Sequence, residues 1–171
     1  TITCFSPNKT FNIAGLQASF VTFPRREDWE KFDNEIGKLD IKRNSPLSLV
    51  AFETGYVKCD EWVDQLIEHL NGNMDYVIKF AEEKIPEIKV GKPEGTYLMW
   101  LDFSILGLSK EELSKFMQEK CKIALDDGFW FGENGTGFER MNIACTRYMV
   151  EEGMNRIENG IKKWREKKIK N

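Results

Sequence analysis

The chain has 171 residues, of which 41% are hydrophobic and 31% charged, and its net charge is −3. That length suits one domain or two small ones and can bury a real core. The near balance of charge offers no footprint for nucleic acid or an anionic membrane, and no apolar run approaches the roughly 20 residues of a membrane span.

Thr1-Ile2-Thr3-Cys4-Phe5 opens without Met and already in strand-like composition. A strand is expected over residues 1–5, running into Ser6-Pro7-Asn8-Lys9, a loop by its Pro and Asn. A chain that starts so close to its most informative motif is expected to be a piece whose N-terminal portion is absent. A second strand is expected near 17–23, ended by Pro24. A charged helix near 25–38 follows, with Trp29, Phe32 and Ile36 at helical spacing. Asn44-Ser45-Pro46 opens another helix over 46–54, ending near Gly55.

Asp60 suits the N-cap of a longer helix whose face holds Trp62, Leu66, Leu70, Val77 and Ala81. Asn71-Gly72-Asn73 should bend it and Pro86 close it. Thr96 to Phe103 reads as a strand, and Ser109 with Glu112 as a capping box before a helix over 110–123. A strand near 124–131, a glycine-rich turn and a strand over 138–144 come next. The last helix, 148–168, repeats Val150, Met154, Ile157, Ile161 and Trp164 at intervals of four and three. Strands alternating with helices predict a mixed α/β or α+β architecture. Residues 1–57 and 58–171 read as two parts, the first like the edge of a larger sheet.

Lys9 is the first candidate for chemistry. Condensation with an aldehyde needs a neutral amine, and a free lysine of pKa ~10.4 is neutral at only about 0.04% at pH 7. Such a lysine is usually held where burial or cations lower its pKa. Phe5, Phe11 and Ile13 supply apolar neighbours, although a solvated lysine in a surface loop fits the same residues. Arg140 is the second candidate. Alternation through Phe138-Glu139-Arg140-Met141-Asn142-Ile143-Ala144-Cys145 puts Met141, Ile143 and Cys145 on one face and Arg140 and Asn142 on the other. A guanidinium so placed can take a carboxylate through two parallel hydrogen bonds, or simply face solvent.

The turn Gly132-Glu133-Asn134-Gly135-Thr136-Gly137 lies between strands, whereas phosphate-cradling loops lead into a helix, so it reads as backbone geometry. Four cysteines (Cys4, Cys59, Cys121, Cys145) show no CxxC pair and have one histidine, His69, for company. That set is too sparse for zinc, so no metal is expected. Reduced thiols in a cytoplasmic protein are the simplest reading. Arg147 is expected at the start of the last helix, and His69 on the polar side of a long one.

The segment from Ser6 to Leu16, Ser6-Pro7-Asn8-Lys9-Thr10-Phe11-Asn12-Ile13-Ala14-Gly15-Leu16, resembles the cofactor-lysine segment of a family. The family is the fold-type-I, pyridoxal-phosphate-dependent aminotransferases of class I/II. The likeness is greatest to the MalY/PatB-type branch of cystathionine β-lyases and related cysteine-sulfur β-lyases. It continues through Glu94-Gly95-Thr96-Tyr97-Leu98-Met99-Trp100-Leu101-Asp102 and Gly135-Thr136-Gly137-Phe138-Glu139-Arg140-Met141-Asn142, in the family's order.

The resemblance implies an α/β large domain, here present as its C-terminal portion over 1–57, and a small α+β C-terminal domain over 58–171. It implies pyridoxal 5'-phosphate as cofactor, with Lys9 forming the aldimine and shuttling the substrate's α-proton. Ser6 would bond the cofactor phosphate and Arg140 would clamp the α-carboxylate of an amino-acid substrate. Where many aminotransferases carry a phosphate-binding arginine, this chain has Gln17, which tilts the reading toward β-elimination. The implied activity is C–S β-lyase action on cystathionine or cysteine conjugates. Transamination to a 2-oxo acid is the alternative, and a regulatory or interaction protein on the same fold the third. The pyridinium partner and the stacking aromatic come from upstream in the family, so these residues alone are expected to be inactive. A homodimer is the family's usual state.

Overall fold

The computed structural model describes residues 1–169. The chain divides into two compact units, Thr1–Ile67 and Glu68–Asn171, with the division falling inside one helix.

In the first unit, β1 (Thr3–Phe5) and β2 (Phe20–Thr22) pair antiparallel, Thr3 opposite Thr22 and Phe5 opposite Phe20. The chain between them is wound by its own backbone: Phe11 N–H donates to the Pro7 carbonyl and Ile13 N–H to that of Asn8, both at 3.0 Å. A 3-10 turn at Ala14–Leu16 completes it. α1 (Arg26–Lys38) follows Pro24, with Glu27 and Asp28 in its first turn, where carboxylates favour the helix dipole. α2 (Pro46–Lys58) has Pro at its start, as expected.

α2 does not stop near Gly55 but runs through it to Lys58. The bare backbone at Gly55 is a seat for the Phe11 ring: a Cβ there would lie 2.9 Å from Phe11 Cδ2. Ser48 Oγ adds a hydrogen bond to the Leu16 carbonyl at 2.6 Å, and Phe52 packs on Phe20 and Tyr56 with ring centres 5.1 Å apart in each pair. Apolar burial is otherwise thin. Leu47, Leu49, Val50 and Val57 of α2 are exposed, and Ala18 is the buried hydrophobic side chain of this unit.

The second unit holds the core. α3 (Asp60–Lys84) enters it and runs unbroken through Asn71-Gly72-Asn73, where a bend was expected. An asparagine weakens a helix by bonding its backbone; Asn73 instead spends its amide on carbonyls elsewhere, donating to Ile143 O at 2.9 Å and Cys145 O at 3.1 Å. Then come β3 (Lys89–Val90), β4 (Leu98–Asp102), α4 (Lys110–Phe116), β5 (Asp126–Asp127), β6 (Phe138–Asn142) and α5 (Arg147–Ile169). The strands form one antiparallel sheet in the order β3-β4-β6-β5.

The expected capping box is present: Ser109 Oγ accepts from Glu112 N–H at 3.2 Å, and Glu112 accepts from Ser109 N–H at 2.9 Å. The helix after it ends as a π turn, Met117–Cys121. The strand expected over 124–131 shrinks to the two residues of β5, and Gly128–Phe131 coils into a 3-10 turn. Gly128 and Gly135 approach so closely that a Cβ on either would overlap the other's carbonyl oxygen, which pulls this segment out of the ladder. Val150, Met154, Ile157 and Ile161 of α5 are fully buried with Val77 and Ala81 of α3 against the Met99–Leu101–Met141–Ile143 face of the sheet. Among the described residues no helix is long and apolar enough to cross a membrane.

Candidate functional site

Ser6 and Lys9 belong to the first unit and Arg140 to the second. In the loop after β1, Pro7 is buried, Asn8 partly buried and Lys9 exposed. Burial was expected for Lys9; the loop instead turns Phe11 inward onto Gly55, Tyr56 and Trp62 and leaves Lys9 outside. An exposed primary amine is within reach of an aldehyde, but the burial expected for Lys9 is not supplied by this unit. Ser6 fits the implied cofactor less directly. Its hydroxyl donates to the Ala18 carbonyl at 2.7 Å and accepts from Asn8 N–H at 3.2 Å. A phosphate oxygen would have to take that proton over from Ala18.

Arg140 sits mid-strand in β6, opposite Trp100 of β4 and Asp126 of β5. The alternation read from the sequence holds: Glu139, Met141 and Ile143 face the core, while Arg140 is partly exposed and Asn142 exposed. On that open face Nε and Nη2 of Arg140 both donate to Asp126 Oδ2, at 3.1 and 2.7 Å. The guanidinium carbon lies 4.1 Å from the centre of the Phe131 ring, a cation–π contact. Phe131 in turn meets Trp100 edge-on at 5.5 Å. One edge and one face of the guanidinium are therefore occupied, and the arginine is a held group rather than a waving one.

Behind Arg140, on the core face, is a residue that the sequence reading passed over. Glu139 is 1% exposed, lies opposite Leu101 of β4 and Asp127 of β5, and its Oε1 has no hydrogen-bond partner among the described residues. Burial first, then the charge of Asp127, a hydrogen bond with it and the charge of Asp126 push its carboxyl up to about 8. The signal was in the alternation, since Glu139 shares the parity of Met141 and Ile143. The Asp126-Asp127 doublet gave no hint of its own before the register was known.

His69 is exposed, as expected, but not idle: its Nε2 lies 2.8 Å from the Cys145 carbonyl oxygen. Arg147 begins α5 and stacks on Tyr76, 5.0 Å from the ring centre. Together with Asn73 these groups fasten the chain just beyond β6.

No family model matches the chain. It is 38% identical over 158 residues to cystathionine beta-lyase PatB of Bacillus subtilis, covering 92% of this chain and 41% of that protein. Among solved structures it matches a PLP-bound protein of Clostridium difficile 630, provisionally called an aminotransferase, at 50% identity and TM-score 0.90, covering 94% of this chain and 42% of that one. It also matches cystalysin of Treponema denticola, a structure containing pyridoxal 5'-phosphate, at 35% identity and TM-score 0.90, covering 95% and 41%. The chain thus spans about two fifths of the length of these relatives.

Proposed function

Because the chain belongs to the fold-type-I, pyridoxal-phosphate-dependent aminotransferase class I/II family, in its MalY/PatB-like lyase branch, we propose that it is part of a C–S β-lyase acting on cystathionine or a cysteine conjugate. The observation that carries this reading is the similarity, over nearly the whole chain, to relatives named for that reaction. In the complete subunit, residues 1–57 would close the cofactor-binding large domain and residues 58–171 would form the small one. The exposed apolar side chains of α2 suit such an arrangement, since a helix apolar all round is a buried one. A homodimer and a cytoplasmic setting go with it, the latter supported by four free cysteines.

In the reaction, the Cβ–S bond of the substrate breaks, the thiol leaves with the bonding pair and takes a proton, and water accounts for the pyruvate and ammonia. Lys9 would hold the cofactor covalently, and Ser6 would donate to its phosphate after giving up Ala18. The cofactor supplies an electron sink for the charge left when the α-proton departs. Lys9 Nζ moves that proton. Arg140 binds the α-carboxylate and so fixes which bond at the α-carbon faces the amine.

Borohydride reduction of the full-length subunit followed by peptide mapping tests the assignment. A pyridoxyl group on Lys9 is expected, together with pyruvate and ammonia formed from a cysteine thioether with no added 2-oxo acid. Label on another lysine or on none overturns the site. Turnover that depends on a 2-oxo acid makes the protein an aminotransferase.

A further inference from the structure

Two cross-strand pairs stand back to back on β5 and β6. Asp126 meets Arg140 on the open face of the sheet, and Asp127 meets Glu139 on the core face. Of these three carboxyl groups, Asp126 is the one bonded to the guanidinium. β5 is two residues long and lies at the edge of the sheet, paired with β6, so the side chains it carries weigh on how firmly it stays docked. Like charges directly opposite in a ladder destabilise it, and a carboxyl as buried as that of Glu139, opposite another carboxylate, does not ionise cheaply.

We infer that Asp126 is a positioning residue for Arg140, and that β5 keeps it there only while the buried Glu139 opposite Asp127 stays uncharged. With Glu139 neutral, no second charge opposes Asp127 on the core face and β5 stays on β6. Asp126 then grips the Nε–Nη2 edge of the arginine, and Phe131 covers one face. Nη1 makes no hydrogen bond among the described residues and is the nitrogen left to a substrate carboxylate. Without the proton, two charges meet on the core face and β5 lifts, carrying Asp126 away.

The groups around Glu139 are consistent with this. β5 contributes only anions, Asp126 and Asp127. β4 contributes Leu101, and α4 contributes Ser114, whose hydroxyl lies 3.4 Å from Asp127 Oδ2. The π turn contributes the Cys121 thiol, which feels the charge of Glu139, and Lys163 of α5 acts on Cys121. Among the described residues the Arg140 guanidinium is bonded to Asp126 on the other face and not to this pair.

The assignment of Arg140 to a substrate carboxylate rests on the lyase reading; the grip of Asp126 on Arg140 and its dependence on the proton do not. The test therefore begins with nuclear magnetic resonance on the 171-residue chain. The Arg140 Nε–H signal should be protected at pH 6 and broaden as pH passes about 8, in step with the Glu139 carboxyl carbon. In Glu139→Gln it should stay protected to higher pH, and in Asp126→Ala it should be lost at every pH. A Glu139 carboxyl titrating near the ordinary value of about 4.3, or an Arg140 signal indifferent to Asp126→Ala, overturns the inference even if Glu139→Gln fails to fold. In the full-length holoenzyme, Asp126→Ala should raise KM for the amino acid by about tenfold, the low end of a charge-assisted contact. Asp126→Asn, which keeps an acceptor oxygen, should recover part of it. An unmoved KM with the Arg140 signal lost shows that the grip does not serve the substrate and overturns that half; an inactive wild type indicts the lyase reading, and resonance alone then decides the grip.

Discussion

Asn73 of α3 donates a 2.9 Å hydrogen bond to the carbonyl of Ile143, directly after β6, from a side chain with no solvent exposure. A second donation reaches Cys145 O at 3.1 Å. These two bonds satisfy carbonyls that the ladder no longer reaches, and they fix where the strand bearing Arg140 ends. Asn73→Ala should cost about 2–3 kcal/mol, because it strands the buried Ile143 carbonyl as well as removing both bonds. Asn73→Asp should cost more, since it sets a carboxylate against two carbonyl oxygens. Urea unfolding measures both, and a loss below about 0.5 kcal/mol in either would show that the latch is not structural.

Glu139 gives the fold a pH dependence of unusual sign for a carboxyl group. Its value of about 8 in the folded chain stands above the ~4.3 of an ordinary glutamate. Between those values the folded state binds a proton that the unfolded state has released. Stability therefore falls as pH rises from about 4.3 toward about 8 and levels beyond it. Glu139→Gln removes this slope. Its Tm should exceed that of the parent by a margin that widens between pH 5 and 8.5, at roughly 2–4 °C for each kcal/mol. Parallel Tm curves would show that Glu139 ionises without penalty.

Thiol reactivity should sort by burial. Cys4 is exposed and should label first. Cys121 is 2% exposed, and burial above all, with the charge of Glu139 adding and Lys163 opposing, pushes it up to about 12. A thiol that stays protonated is a poor nucleophile, so Cys121 should label at pH 8 only as fast as the chain unfolds. Timed alkylation read by mass spectrometry gives the order, and early labelling of Cys121 would contradict the packing around it.

Arg140→Ala in the full-length subunit should lower kcat/KM for an amino-acid substrate by roughly 10- to 150-fold, the span of a charge-assisted contact worth ~1.5–3 kcal/mol. Arg140→Lys keeps the charge but not the fork, nor the flat face that lies on Phe131. It should recover only part of the loss. Steady-state kinetics with a carboxylate-bearing substrate and its amide tells the two contributions apart: the amide should be nearly blind to both substitutions.

Legibility in the sequence followed the strength of periodic signals. The α5 stripe, the capping box at Ser109 and Glu112, and the alternation through β6 appear as the residues suggested, because burial on one face imposes its period on the chain. β3 went unread: two residues, one of them Lys89, are too short to show alternation. The segment over 124–131 was misread because its apolar run looks extended, and the contact between Gly128 and Gly135 that coils it lies between positions no local pattern links. At the site, parity alone placed Arg140 on the open face. Its grip by Asp126, and the carboxyl pair behind it, depend on which residue faces which across β5 and β6, and that register is a tertiary fact.

The seat that Gly55 offers to Phe11 gives the Lys9 loop an anchor without a bond. The loop's position is set by the absence of an atom on α2, since a ring can lie flush only where no side chain projects. One added methyl at Gly55 would act as a wedge, lifting the aromatic anchor and tilting the amine with it while leaving every polar group of the loop intact. Helix and loop are thus coupled through shape as well as through the Ser48 hydrogen bond, and a silent-looking change on α2 can shift the loop that carries Lys9.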